Sequence, residues 1–201
     1  MAFPPAIAIA SRNPHKLREL GRICADWPVE WVTVENHDPA AFPEVEETGA
    51  TYLDNALLKA RAIAAALDAP AIADDSGIEV DALGGAPGPR SARYAGEDAT
   101  DEQNLRQLMA AVAGVPASGR TARYRCVAAI ARPDGTEIHT EATCEGTLVG
   151  KRRGERGFGY DPVFVPVGWD LTMAELSAEE KDRISHRGRA FRALRAAIAE
   201  A

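Results

Sequence analysis

Short, wholly apolar runs alternate along this chain with longer stretches in which apolar residues recur every three or four positions. Ala6 to Ala10 (AIAIA) is the first such run and reads as a strand buried on both faces, because a half-exposed strand would alternate with polar residues. It leads through Ser11-Arg12 into Asn13-Pro14, an N-cap and first-turn proline for a helix with Leu17, Leu20 and Ile23 on one face. Val29 to Val34 is a second strand. Thr48 is expected to cap a long helix whose stripe is Tyr52-Leu53, Ala56-Leu57, Ala60, Ile63-Ala64 and Leu67. Pro70 to Ala73 is another short buried strand ending in Asp74-Asp75, and Ser76-Gly77 is expected to turn the chain sharply into a further apolar run.

In the second half, Gly84 to Pro89 is a rigid loop of small residues: a surface loop, a lid or a dimer contact. Asp101 is expected to cap a helix through Leu105, Leu108-Met109 and Val112. Strands over Ala122 to Ala131 and Glu137 to Val149 are joined by the hairpin signal Pro133-Asp134-Gly135. Val163 to Val165 is a short strand, Ser177 with Glu180 forms a capping box, and Phe191, Leu194 and Ile198 line a final helix. The alternation of strands and helices, with a hairpin late in the chain, predicts an α/β fold with a mixed sheet, in one domain over residues 1–201.

Composition narrows the function. At 46% apolar and 26% charged residues the chain is an ordinary globular protein, and no stretch has the length of a membrane helix. The start of the chain lacks the basic lead and apolar core of a signal peptide, so a cytoplasmic protein is expected. A net charge of -7 argues against a nucleic-acid coat. Acids crowd Glu35 to Glu47 and bases crowd Lys151 to Arg156 and Lys181 to Arg195, an unevenness that suits a small polyanion held with a divalent cation. Cys24, Cys126 and Cys144 are odd in number and lack CxxC spacing, so neither a disulfide frame nor a zinc site is indicated.

Candidate chemistry gathers at three places. Lys16 sits in the first turn of its helix, where the macrodipole alone would prefer an acid; it marks either an anion site at the helix N-terminus or an ordinary exposed lysine. Asp74 and Asp75 repel unless a cation or strong donors intervene, which suggests a metal or proton-handling site, while Asp-Asp-Ser-Gly is equally good turn chemistry. The glycines around Phe158 free the backbone and expose the ring for stacking on a base, or simply make a turn with a core phenylalanine.

Five segments in one order, SRNPHK, EETGATYLDNALLKA, IADDSGIEVDALGGAPGPRSARYAGEDATD, GFGYDPVF and AELSAEEKDRISHRGRA, give the chain a resemblance to the inosine triphosphate pyrophosphatase family over nearly its whole length. The resemblance implies hydrolysis of deaminated purine nucleoside triphosphates (ITP, dITP, XTP) to the monophosphate and pyrophosphate. It also implies a long central mixed sheet flanked by helices, two lobes with the active site in the cleft between them, a magnesium ion (Mg2+) and a homodimer. Residue by residue, it makes Ser11, Arg12, Asn13, Pro14, His15 and Lys16 a phosphate-binding element, with Ser11 in place of the usual threonine. Lys59 and Ser76 become substrate contacts, Asp75 the proton acceptor and a metal ligand, and the acidic element with Glu46 and Glu47 completes the metal site through one or other of those glutamates. Phe158, Gly159, Tyr160 and Asp161, with Lys181, His186 and Arg187, become the purine pocket. A magnesium-dependent phosphatase with an aspartate nucleophile, or a nucleotide-binding regulatory module without turnover, are the alternatives.

Overall fold

The computed structural model describes residues 3–201. Its elements are β1 (Ala6–Ile9), α1 (Pro14–Ile23), β2 (Glu30–Val32), α2 (Tyr52–Leu67), β3 (Ala71–Val80), α3 (Asp101–Ala111), β4 (Thr121–Ala131), β5 (Glu137–Leu148), β6 (Phe164–Pro166), α4 (Ala178–Ile184) and α5 (His186–Glu200). The strands form one six-stranded sheet in the order β2-β1-β3-β4-β5-β6. β1 pairs parallel to both β2 and β3, whereas β6 pairs antiparallel to β5, so the sheet is mixed as expected.

Contacts divide the chain into two compact units. The first takes the residues up to Asp75, Cys126–Ala142 and Arg187–Ala201. Here successive strand residues go to opposite faces. Ile7, Ile9, Ile72, Cys126, Ala128 and Ile130 pack with Leu17 and Leu20 of α1 and Phe191 and Leu194 of α5. Their neighbours Ala8, Ala71, Ala73 and Ala131 pack with Ala60, Ile63 and Ala64 of α2, and Val127 and Ala129 with Tyr52 and Ala56. Large residues on one face and mostly alanine on the other explain why the strands read as unbroken apolar runs, and let α2 lie close to the sheet.

The second unit takes Ser76–Arg125 and Thr143–His186. Its core joins Ile78 and Val80 to Leu105, Leu108 and Val112 of α3, Tyr124, Leu148, Phe164, Met173 and Leu176. The loop after Gly84 continues into a 3-10 turn over Gly88–Arg93, latched by the buried Ser91 hydroxyl, which accepts from Ile78 N at 2.8 Å. Among the described residues, no helix is long and apolar enough to cross a membrane.

Several sequence expectations are corrected. Ser76-Gly77 makes no turn: β3 runs unbroken from Ala71 to Val80, and the two apolar runs are one strand with the acids at its middle. The long helix is capped by Thr51, not Thr48, because Thr51 and Asp54 form a reciprocal capping box. Thr100, boxed with Gln103, caps α3 in place of Asp101, which is its first residue. The strand placed at Val163 to Val165 begins one residue later, after a 3-10 turn over Asp161–Val163.

Candidate active site

In the first unit the parity of β3 decides what each acid meets. Asp74 follows Ile72 onto the α1 and α5 face; Asp75 follows Ala73 onto the α2 face. Lys16 of α1 lies 3.1 Å from Asp74 Oδ2, and the Arg187 guanidinium donates to the same oxygen from Nη2 at 3.1 Å and Nε at 3.3 Å. Arg187 also pairs with the buried Glu19. Burial alone would raise the Asp74 carboxyl, but Arg187, Lys16 and Lys59 outweigh it and hold it well below the usual carboxylate range.

Asp75, 4% exposed, accepts from Asn55 Nδ2 at 3.1 Å. Lys59, one turn along α2, stands 3.8 Å from Asp75 Oδ1 and also pairs with Glu47. Burial pushes the Asp75 carboxyl up; Lys59 and Lys16 oppose that, Glu47 adds to it, and the net shift is upward. Lys59 shifts up as well: burial disfavours its charge, but Asp75, Glu47 and Asp74 more than compensate. A buried carboxyl raised by its surroundings and faced by a held ammonium is a perturbed pair, which makes Asp75 a candidate for proton handling.

Asn55 is fully buried and reaches the other way too, its Oδ1 accepting from Gly49 N at 2.8 Å. A Cβ at residue 49 would meet Asp54 Cβ at 2.5 Å and Asn55 Oδ1 at 2.6 Å, so glycine is required for the acidic segment to lie against α2. Asn55 was not among the sequence-derived site residues. The available signal was an amide on the apolar stripe of α2, one turn from Lys59.

The Ser11 to Lys16 segment folds on itself. Asn13 Oδ1 accepts from His15 N at 2.8 Å and Lys16 N at 3.2 Å, and Ser11 Oγ accepts from Asn13 N at 3.2 Å. The cap therefore already engages two of the amides expected to meet an anion. Pro14 opens α1 as expected; His15 is exposed beside Arg18, and Arg12 donates to the carbonyls of Pro39 and Phe42. Of the two neighbouring glutamates, Glu47 turns to Lys59 whereas Glu46 is exposed. Ser76, half-buried, follows Asp75 along β3.

Among the described residues, no three His, Cys, Asp or Glu side chains gather round one point. Magnesium does not need such a cage, since one or two carboxylates suffice when substrate phosphates complete the shell. Charge balance fits that ion: the carboxylates of Glu19, Glu47, Asp74 and Asp75 outnumber Lys16, Lys59 and Arg187 by one, so a divalent cation is what would make the group attractive to a polyphosphate.

The residues expected on the base side, Arg187 apart, stand in the second unit, built round Asp161. This buried carboxylate accepts from Phe158 N at 2.9 Å, pairs with Lys181, and takes the Tyr124 hydroxyl at 3.2 Å. Gly157 has φ +74°, and a Cβ there would lie 2.0 Å from Asp161 Oδ2, which explains that glycine. Gly159 N donates to Asp101 Oδ2 at 2.9 Å. The half-buried Phe158 ring has the Lys181 ammonium 5.1 Å from its centroid, within cation–π range. His186 is buried and stacked on Tyr124.

Two residues differ from expectation. Tyr160 is buried, its hydroxyl donating to Ser91 O at 2.8 Å, so its ring belongs to the core. Arg187, expected in the purine pocket, is 2% exposed and spends its guanidinium on Asp74 and Glu19 in the first unit. The reason is helical: one residue along α5 from His186 rotates the side chain by about 100°.

Comparison with known proteins identifies the family. The Ham1 family profile matches residues 7–197. A dITP/XTP pyrophosphatase of Syntrophobacter fumaroxidans is 49% identical over 92% of this chain and 78% of its own. A HAM1 protein from Coxiella burnetii superposes with a TM-score of 0.86 at 36% identity, covering 98% of this chain and 100% of that one. The Ham1 protein of Staphylococcus aureus does so at 0.83 and 40%, covering 97% and 98%. With a family profile spanning nearly the whole length and relatives of this similarity, the chain belongs to the Ham1 family.

Proposed function

We propose that this protein hydrolyses deaminated purine nucleoside triphosphates, ITP, dITP and XTP, to the monophosphate and pyrophosphate. The observation that carries the reading is the Asp75 carboxylate: buried, raised, oriented by Asn55 and faced by Lys59 and Glu47. Relatives named dITP/XTP pyrophosphatases, at 49% identity over most of this chain, support the substrate class.

Attack of water on a phosphoryl group needs charge neutralisation and a positioned base. Lys16 and Lys59 offer cations to the phosphates, and Asp75 takes the proton from the attacking water while Asn55 fixes its oxygen. Magnesium, bound by Asp75 and Glu47, would neutralise phosphate charge. On the base side, Phe158 offers a stacking face, and donors from His186 and nearby backbone favour the 6-oxo group of hypoxanthine or xanthine over the 6-amino group of adenine. On the strength of the family resemblance, the proposal extends to a cytoplasmic homodimer.

A panel of ITP, XTP, dITP, ATP and GTP assayed with magnesium tests the reading. The expected result is a kcat/KM for the first three well above that for ATP; equal turnover of ATP and ITP would overturn it.

A further inference from the structure

We propose that Tyr124 is a positioning residue that sets the selectivity of the base-side group, an inference that rests on the function proposed above. Tyr124 lies on β4, outside every motif that identified the site, and is 7% exposed. Its ring stacks flat on His186, with centroids 4.6 Å apart and planes 6° from parallel. Phe164 supports it edge-on, with centroids 4.8 Å apart. Its hydroxyl donates to Asp161 Oδ1 at 3.2 Å, while Asp161 Oδ2 holds the Phe158 amide at 2.9 Å and pairs with Lys181.

One rigid side chain thus fixes two things. The ring sets the plane of the His186 imidazole, and with it the direction of any hydrogen bond that imidazole gives a base. The hydroxyl helps hold the carboxylate that ties down Phe158 and Lys181, the stacking ring and the ammonium beside it. Discrimination between 6-oxo and 6-amino purines depends on donor direction, so an imidazole free to tilt would lose selectivity before it lost all binding. A wobbling Asp161 would loosen the Phe158 segment and weaken binding of every purine alike.

The two contributions separate by mutation. Tyr124→Phe keeps the stack and removes the hydroxyl; Tyr124→Leu removes both. Steady-state kinetics with ITP and ATP give a selectivity ratio from which any loss of folded protein cancels. For Tyr124→Phe the expected result is a KM for ITP raised about threefold to tenfold, as for loss of one hydrogen bond, with kcat within about twofold and the ratio kept. For Tyr124→Leu the ITP-to-ATP ratio is expected to fall about tenfold. An unchanged KM in Tyr124→Phe overturns the assignment, as does a parallel fall for both triphosphates in Tyr124→Leu. Should the leucine variant fail to fold, Tyr124→Met, closer in volume but without the ring, carries the same ratio test. A wild-type protein that makes no pyrophosphate from ITP overturns the function and the assignment together, whereas a working wild type with insensitive variants overturns the assignment only.

Discussion

Asp74 and Asp75 are adjacent on β3 yet leave it on opposite faces and shift in opposite directions. Asp74 meets Arg187 and Lys16 and is held low; Asp75 meets Asn55 and Lys59 and is held high. The strand period of two gives the two acids opposite surroundings without any intervening residue.

Asp75→Asn should abolish turnover while strengthening the fold. A carboxyl raised in the folded state makes stability fall as pH rises from the unfolded value of about 3.9 through the folded one, so its charge is a cost at neutral pH. Removing that charge is expected to cut kcat by about a hundredfold or more and to raise the melting temperature by roughly 2–4 °C per kcal/mol relieved. Pyrophosphate release and thermal unfolding of the metal-free protein at pH 7 measure the two effects.

Asp74→Asn should do the reverse to stability. A depressed carboxyl contributes stability that is complete above the unfolded value of about 3.9 and is lost as pH falls towards the folded one. Breaking its pairing with Arg187 and Lys16 is expected to cost about 3–5 kcal/mol at pH 7 and to flatten the acid side of the stability profile. Urea unfolding of both proteins between pH 3 and pH 7 shows whether that difference shrinks in acid as the sign requires.

Asn55→Leu removes the donor to Asp75 and the acceptor for Gly49 N. Two buried hydrogen bonds are lost at about 1–3 kcal/mol each in kinetic or folding terms. The Asp75 carboxyl, deprived of a donor that lowers it, should rise further, so the acid limb of kcat/KM should move to higher pH. A pH–rate profile against wild type reads this directly.

Phe158→Ala should weaken substrate binding with little effect on kcat, by about 1–3 kcal/mol for a lost base-stacking face. KM and kcat for ITP, measured separately, make the distinction.

Local signals in the sequence reached far, and their limit is physical. The Asn13 cap, the Ser177-Glu180 box and the β4–β5 hairpin each depend on residues within a few positions, and all three stand where the pattern placed them. The unbroken β3 was hidden because two aspartates in mid-strand are tolerable only with partners from far along the chain: Arg187 lies 113 residues from Asp74, and Asn55 lies 20 from Asp75. The same range explains Arg187, whose neighbour His186 serves the other unit, and Tyr124, which carries no motif and gains its place only when β4 sets it against His186 and Asp161.

The products of ITP hydrolysis with magnesium test the central claim most directly. Water attack promoted by Asp75 between the α- and β-phosphates yields inosine monophosphate and pyrophosphate in equal amounts, with no inosine diphosphate at any time; stepwise release of single phosphates through the diphosphate would contradict it.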